Sequence, residues 1–272
     1  MRHDESSNTP KAAGSQVVQR VALLLRLVAS GQRSGLRLAD LYRAAGLERP
    51  TVHRLLQALV AERLLRQDAD TRRYYLGPAM YEMGLAASPK IALRDICHPH
   101  LQRIATLTGD TVFLTERSGL DGVCTDRAEG DAPIKVYVLE IGKRRPLTVG
   151  GGAAAILSAM DNDELNRVFK ANLERTLKKY PRYSESALRR SITRGRARGY
   201  IARNLLEIPD IRTIGVPIRD AQGTPIAGIS LSTISSRLDE ERTEHVARLM
   251  LEAVSAIEKS LVAYRGSAAE GP

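Results

Sequence analysis

Apolar positions in the first ninety residues recur at helical spacing. Val18, Val21, Leu24, Leu25 and Val28 repeat by threes and fours, which predicts a helix from about residue 15 with Gly31 as its stop. Leu38, Leu41 and Tyr42 predict a short second helix over 38–45, closed by Gly46. Val52, Leu55, Leu56, Leu59 and Val60 predict a third, whose other side carries Arg49, His53, Arg54 and Gln57 and no carboxylate. Pro50 suits its first turn, where a missing amide proton costs nothing. Two helices joined by a short glycine-containing turn, the second with a basic face, make a helix-turn-helix. The period then drops to two. Runs at 64–67 and 72–76, joined by Asp68-Ala69-Asp70-Thr71, predict a hairpin, or wing, with Tyr74 and Leu76 on the core side and Arg73 and Tyr75 outward.

Gly77-Pro78 ends the wing, and a short linker helix follows, with a domain boundary at Ser88-Pro89. Beyond it the pattern is mixed. A helix is expected over 93–107, ended by Gly109, then strands at 111–117 and 123–127 joined by the five-residue turn 118–122, and another near 134–139. Gly150-Gly151-Gly152 opens an Ala-rich helix, and Asp161 and Ser184 are N-caps for two more, the second closed by Gly199. Strands at 200–206 and 211–218 follow, the latter forming a hairpin with 225–233, and Asp239 caps a final helix to about Tyr264. The fold class is α+β: an N-terminal winged helix-turn-helix over 15–77, a linker helix over 78–89, and an α/β domain with an antiparallel sheet over 90–264. Residues 1–14 and 265–272 read as tails, the first of them disordered.

Charge sharpens this division. Residues 15–90 hold 12 Lys and Arg against 6 Asp and Glu, whereas 91–272 hold 27 against 23, so the excess of a chain with formal charge +10 is concentrated in the first quarter. Such a face attracts phosphate polyanions and makes binding salt-dependent. An acidic membrane surface is the weaker alternative, since no amphipathic apolar face accompanies the charge. No apolar run is long enough to span a bilayer, the N-terminus lacks the apolar segment of a signal peptide, and two cysteines fit a reducing compartment, so a cytoplasmic protein is expected.

The DNA-binding candidates are Arg49, Thr51, His53, Arg54 and Gln57 on the third helix, in the major groove, with Arg72 and Arg73 of the wing on the DNA backbone. The bland alternative is a solvated basic face. For an enzyme the chemistry is thin. Cys97-His98-Pro99-His100 has no second pair at ligand spacing and is taken as structural, so neither a metal nor a cofactor is expected. Gly150-Gly151-Gly152 lacks the Lys-Ser/Thr of a P-loop, no Gly-x-Ser-x-Gly elbow occurs, and Cys124 falls within an expected strand. An enzymatic role for the α/β region, or a structural DNA-binding protein that senses nothing, remains the alternative.

The chain resembles the IclR family of bacterial transcriptional regulators over roughly residues 15–263. The residues that carry the likeness are Thr51-Val52-His53-Arg54-Leu55-Leu56, Arg73-Tyr74-Tyr75-Leu76-Gly77-Pro78, Thr108-Gly109-Asp110-Thr111-Val112, Arg194-Gly195-Arg196-Ala197-Arg198-Gly199-Tyr200, and Ile229-Ser230-Leu231-Ser232 with Ser236-Arg237-Leu238. The resemblance implies a GAF-like effector-binding domain, homodimers or homotetramers, and repression or activation of an operon under control of a small organic acid or aromatic metabolite. It also implies an effector pocket of Ile134, Tyr137, Gly151, Gly152, Arg203, Thr213, Ser230 and Ser232. Here the chain departs from the family pattern, with Thr213 where many members have Cys, Arg203 where an acidic residue is common, and Gly152-Ala153-Ala154 for the usual small-Gly-Lys helix start. Glu48-Arg49-Pro50 likewise stands for the common Pro-Lys-Ser. An added Arg with two Ser suits an anionic ligand, so the expected effector is a carboxylate bound by Arg203, with Tyr137 packing an aromatic ring. In the alternative, Arg203 faces solvent.

Overall fold

The computed structural model describes residues 13–31, 34–87 and 93–269, and the chain divides into two compact units, 1–90 and 91–272. The expected disordered tail lies almost wholly outside the described residues, as do Ser88 and Pro89.

In the first unit, α1 (Ala13–Ser30), α2 (Leu38–Ala45) and α3 (Arg49–Ala61) close around Leu24, Val28, Leu41, Val52, Leu56 and Leu59. Val18, expected on the inner face of α1, is exposed, because the packed stripe begins a turn later at Val21. Gly46 takes φ +63 at the end of α2, a left-handed conformation that glycine adopts without Cβ strain. The wing strands β1 (Leu65–Gln67) and β2 (Tyr74–Leu76) pair antiparallel, Leu65 opposite Leu76. They are shorter than the apolar pattern suggested. Tyr74 is buried in the core, but Leu76 is exposed, since the strand leaves the core within two residues. Leu36 adds a rung on the other edge of β2 by exchanging both backbone hydrogen bonds with Tyr74, at 3.1 and 2.8 Å. The linker segment is helical, α4 (Pro78–Ala87).

The second unit is a six-stranded antiparallel sheet in the order β5-β4-β3-β8-β7-β6. Its strands are β3 (Thr111–Ser118), β4 (Asp121–Glu129), β5 (Arg144–Pro146), β6 (Ile201–Asn204), β7 (Ile211–Arg219) and β8 (Pro225–Ile234). Ser118 pairs with Asp121, so β3 and β4 are joined by the two residues Gly119 and Leu120 rather than by the five expected. No strand forms at 134–139.

Alternation along the strands gives the sheet two different faces. Val112, Leu114, Ile214, Val216, Ile229 and Leu231 point to one side, where α5 (Leu93–Thr108) and α9 (Glu240–Ala269) cover them with Leu101, Ile104, Val246 and Met250. On the other side lies α6 (Gly151–Ser158), all eight residues of it buried, backed by α7 (Asn162–Lys179) and α8 (Glu185–Arg198) through Ile156, Leu157, Phe169, Leu188 and Ile192. The caps are as expected: Asp161 accepts from the Glu164 amide, Ser184 from that of Ala187, and Gly199 takes φ +77. α9 continues past Tyr264 to Ala269, into the expected tail.

Helix α6 sits against β7 and β8 at backbone distance. A Cβ at Gly215 would lie 2.3 Å from the Gly151 carbonyl oxygen, and one at Gly228 would lie 2.6 Å from that of Gly152. Glycine on both surfaces is what admits the contact. No helix among the described residues is long and apolar enough to cross a membrane.

Candidate DNA interface and candidate effector cavity

The polar face of α3 looks onto an open cleft of about 770 Å³ whose other wall is the wing. Val52, Leu56 and Leu59 turn inward, which obliges Arg49, His53, Arg54 and Gln57 to stand outside, and all four are exposed. Arg49 and His53 line the cleft, and Arg72 and Thr71 face them from the wing. Arg72 is held there at φ +57, in a turn that Asp68 fixes by accepting from the amide and hydroxyl of Thr71 at 2.8 and 2.7 Å. Those two bonds also draw the Asp68 carboxyl below its ordinary pKa. Arg54 and Gln57 share the outer face of α3 beyond the cleft wall, and Thr51 lies half-buried on its far flank. Arg73, by contrast, is tied down: its Nη1 donates to the carbonyls of Ser34 and Gly35 at 3.2 and 3.0 Å, so its guanidinium positions the wing.

One residue the sequence reading missed belongs to this cleft. Arg37 stands exposed at the N-cap of α2 and lines the same wall. The signal was its place just before a helix start on the side of the basic face, which residue spacing alone did not mark. Among the described residues, the side chains of Arg37, Arg49, Arg54 and Arg72 make no hydrogen bond or ion pair, whereas Arg63 pairs with Glu82 at 2.9 Å and Arg66 stacks 4.3 Å over Tyr75.

In the second unit, a small cavity lies between the sheet and the start of α6. Its walls include Phe113, Thr115, Val138, Arg145, Ser230 and Ser232, and Gly151 and Gly152 supply the helix start. Four expected residues therefore come together here. Thr213 is behind them, wholly buried, donating to the Leu231 carbonyl at 2.9 Å and accepting from Ser232 Oγ at 3.2 Å. The Ser230 hydroxyl, buried as well, has no protein partner among the described residues. α6 begins after Gly150 without a side-chain cap, so the positive end of the helix faces the cavity.

The other three expected residues are elsewhere. Ile134 and Tyr137 are 56% and 53% exposed, because it is Val136 and Val138 that turn inward to pack on Phe113, Leu205 and Ile211. The Tyr137 hydroxyl donates to Glu129 at 2.9 Å, and Arg127 covers its ring at 4.6 Å. Arg203 faces neither the cavity nor bulk solvent. Its Nη2 donates to the carbonyls of Thr148 and Gly150 at 3.0 and 2.6 Å, bracing the turn into α6. The charged side chain that does line the cavity is Arg145, which the sequence reading passed over in the basic run 143–145.

Burial pushes both the Cys97 and Cys124 thiols up to about 12, and His98 is engaged with Asp126 at 2.7 Å. No group of three or more metal-type side chains occurs among the described residues.

A helix-turn-helix with a wing, carrying unpaired arginines and followed by a separate sensor-sized α/β unit, defines a DNA-binding transcriptional regulator. Similarity to known proteins names its kind. The family description "Bacterial transcriptional regulator IclR C-terminal" matches residues 86–259, and "IclR helix-turn-helix domain" matches residues 17–69. The chain belongs to the IclR family. It is similar to the HTH-type transcriptional regulator XynR of Escherichia coli, 26% identical over 90% of this chain and 97% of that one, and to BhcR of Paracoccus denitrificans, 27% identical over 89% and 86%. Its relatives are named as regulators and repressors. Among solved structures, the Thermotoga maritima IclR aligns at TM-score 0.64 and 26% identity over 90% of this chain and 98% of that one. An IclR homologue from Microbacterium hydrocarbonoxydans, complexed with 4-hydroxybenzoate, shares the fold at TM-score 0.72 and 22% identity over 91% and 99%.

Proposed function

We propose that the protein binds operator DNA with α3 in the major groove and the wing on the adjoining backbone, and that a small carboxylate in the cavity beside α6 controls this binding. The observation that carries the DNA reading is the set of cations left without protein partners on one side of the first unit, Arg37, Arg49, Arg54 and Arg72. A free guanidinium is suited to a phosphate or to a guanine edge, whereas Arg63, Arg66 and Arg73 of the same unit are already engaged. In this reading Arg49, His53, Arg54 and Gln57 reach bases, Arg37 and Arg72 hold phosphates, Thr51 offers its hydroxyl to the DNA from the first turn of α3, and Arg73 acts through the wing it positions.

The carboxylate reading draws on the cavity's free Ser230 hydroxyl, its glycine-lined helix start and its one cation. The 4-hydroxybenzoate in the Microbacterium relative is an acid of this class. In this reading the protein acts as a homodimer or a tetramer. The exposed Tyr81, Met83 and Leu85 of α4, with Val17 and Val18 of α1, are apolar surface fit for such a contact, which sedimentation equilibrium of the intact protein tests. Operator DNA places the site of action in the cytoplasm.

The test is binding to the DNA upstream of its own and neighbouring genes by fluorescence anisotropy, at two salt concentrations, with and without a panel of aromatic and aliphatic acids. Arg72→Ala is expected to lower the log–log salt slope by about 0.9 for the phosphate left unneutralised, and Arg54→Ala, at a base, to weaken operator binding by about 1–3 kcal/mol. Wild-type affinity and slope in both variants would refute the docking, and an operator affinity indifferent to every acid would refute the control.

A further inference from the structure

The carboxylate reading leaves open which group in the cavity recognises the acid. Arg145 is the one charged side chain among the lining residues, and only 16% of it is exposed. It is already neutralised. Nη1 contacts Glu207 Oε1 at 3.1 Å, and Glu207, 11% exposed, also accepts from the Tyr183 hydroxyl. The other arm of the guanidinium, Nη2, donates to the carbonyl of Val138.

That carbonyl belongs to the segment that forms no strand. Across 133–139, among the described residues, this is the single backbone hydrogen bond to the rest of the unit. Val138 and Leu139 from the same segment are cavity wall. As it stands, the cavity has about 20 Å³ open to a water centre, enough for roughly one water. An organic acid therefore enters only if a wall yields. β3, β7, β8 and α6 are held by ladders and by glycine contact, whereas 133–139 is held by side chains, Lys135 on the Gly130 carbonyl, Tyr137 on Glu129 and the packed Val136 and Val138, so it is the wall with the least main chain to part.

We propose that Arg145 is the carboxylate-reading residue of the effector cavity and that Glu207 is its built-in stand-in, holding the guanidinium until an acid takes its place. This rests on the carboxylate reading above and assigns the residue that performs it. The exchange is ionic and balanced. One carboxylate leaves Arg145 as another arrives, so the guanidinium stays paired throughout; Glu207 keeps the Tyr183 hydroxyl and must turn its other oxygen to water, a cost that the acid's further contacts in the cavity have to exceed. As Arg145 turns to the incoming acid, it releases the Val138 carbonyl, and the wall it latched is free to move outward. A neutral ligand of the same shape cannot displace Glu207 and gains nothing from the exchange. Selection for acids thus comes from a competition inside the protein, with the Ser230 hydroxyl and the start of α6 supplying contacts that Glu207 does not use.

Calorimetric titration of the full-length protein with a panel of monocarboxylic acids, 4-hydroxybenzoate among them, each beside its neutral amide, tests this. Arg145→Gln is expected to weaken acid binding by about tenfold or more and to abolish the preference for acid over amide. Glu207→Gln, which removes the competitor, is expected to strengthen acid binding by about tenfold. The second variant serves where the first fails to fold. If Arg145→Gln keeps the wild-type preference for acids, or Glu207→Gln weakens acid binding, this assignment fails while the carboxylate reading stands. If wild-type protein takes up none of the acids, the two fail together.

Discussion

Replacing Gly215 by alanine probes the feature on which the cavity depends, the backbone-to-backbone seating of α6 on the sheet. The added Cβ would lie 2.3 Å from the Gly151 carbonyl oxygen and 2.5 Å from its carbon. Carbon–oxygen contacts settle at about 3.3 Å or more, so helix and strand must part by about 1 Å. The obstacle is main chain on both sides, not the end of a side chain that can swing away. Moreover, α6 is buried over its whole length, so it cannot back off without opening the packing of its Ile156 and Leu157 against Phe169, Leu188 and Ile192. Overpacking of this kind costs about 1–3 kcal/mol, and the rigid contact argues for the upper half of that range. In a unit of this size, about 2–3 kcal/mol lowers the melting temperature by about 4–12 °C. Differential scanning calorimetry is the appropriate assay, because the two units can melt separately. The C-terminal transition should fall and the N-terminal one stay. Gly84→Ala is the control: nothing lies within 4 Å of its Cβ position, in the middle of α4, so alanine there should stabilise by about 0.5–1 kcal/mol. A C-terminal transition in Gly215→Ala within about 1 °C of wild type, on the order of the assay's scatter, would refute the close-packing argument.

Two further outcomes follow from the second unit. Asp110, 1% exposed, pairs with Arg237 at 3.3 Å and Arg242 at 2.9 Å and accepts from Thr233 Oγ1 at 2.6 Å, joining the α5–β3 turn to the start of α9. Asp110→Ala should cost about 3 kcal/mol by urea unfolding, the lower end for a broken buried pair, since both guanidiniums are about one-third exposed and regain water; a loss under about 1 kcal/mol would show the network to be ornamental. The second outcome concerns the thiols. With both pushed up to about 12 by burial, the thiolate is on the order of one part in ten thousand at pH 8. Ellman's reagent should therefore titrate no thiol in the native protein from about pH 6 to 9 and both after denaturation, whereas a fast native reaction would reopen the case for Cys124 as a nucleophile.

How much of this was legible in the sequence depended on the range of the signal. Asp161, Ser184 and Gly199 act on amides and turns within a few residues, and each was placed correctly. The basic face of α3 was equally readable, since a five-residue apolar stripe dictates the opposite side. Residues 134–139 were not. Ile134, Val136 and Val138 imitate a strand, but β5 takes only residues 121–123 of the β4 edge and the segment meets the far end of β4 through side chains, Tyr137 on Glu129 and Arg127, so it packs Val136 and Val138 without a ladder and leaves Ile134 and Tyr137 outside. Arg203 and Arg145 could not be told apart for a similar reason. The partners of Arg203, at Thr148 and Gly150, are some fifty residues away in the chain, and Glu207 lies sixty-two from Arg145. Only the folded sheet shows which guanidinium faces the cavity.

The Leu36 rung beneath the wing has a consequence for how DNA would be chosen. Leu36 and Tyr74 exchange two backbone hydrogen bonds, and Arg73 clamps the hairpin to Ser34 and Gly35 from the other side. The jaw formed by α3 and the wing is thus set to one gape before any duplex arrives, with little entropy left to lose on closing. Under the proposed docking, a misfit in groove width or helical phase falls on the nucleic acid, which is the softer body. Base steps lying between the two grips would then be selected for how cheaply they bend or narrow, at positions that no side chain of this protein reaches.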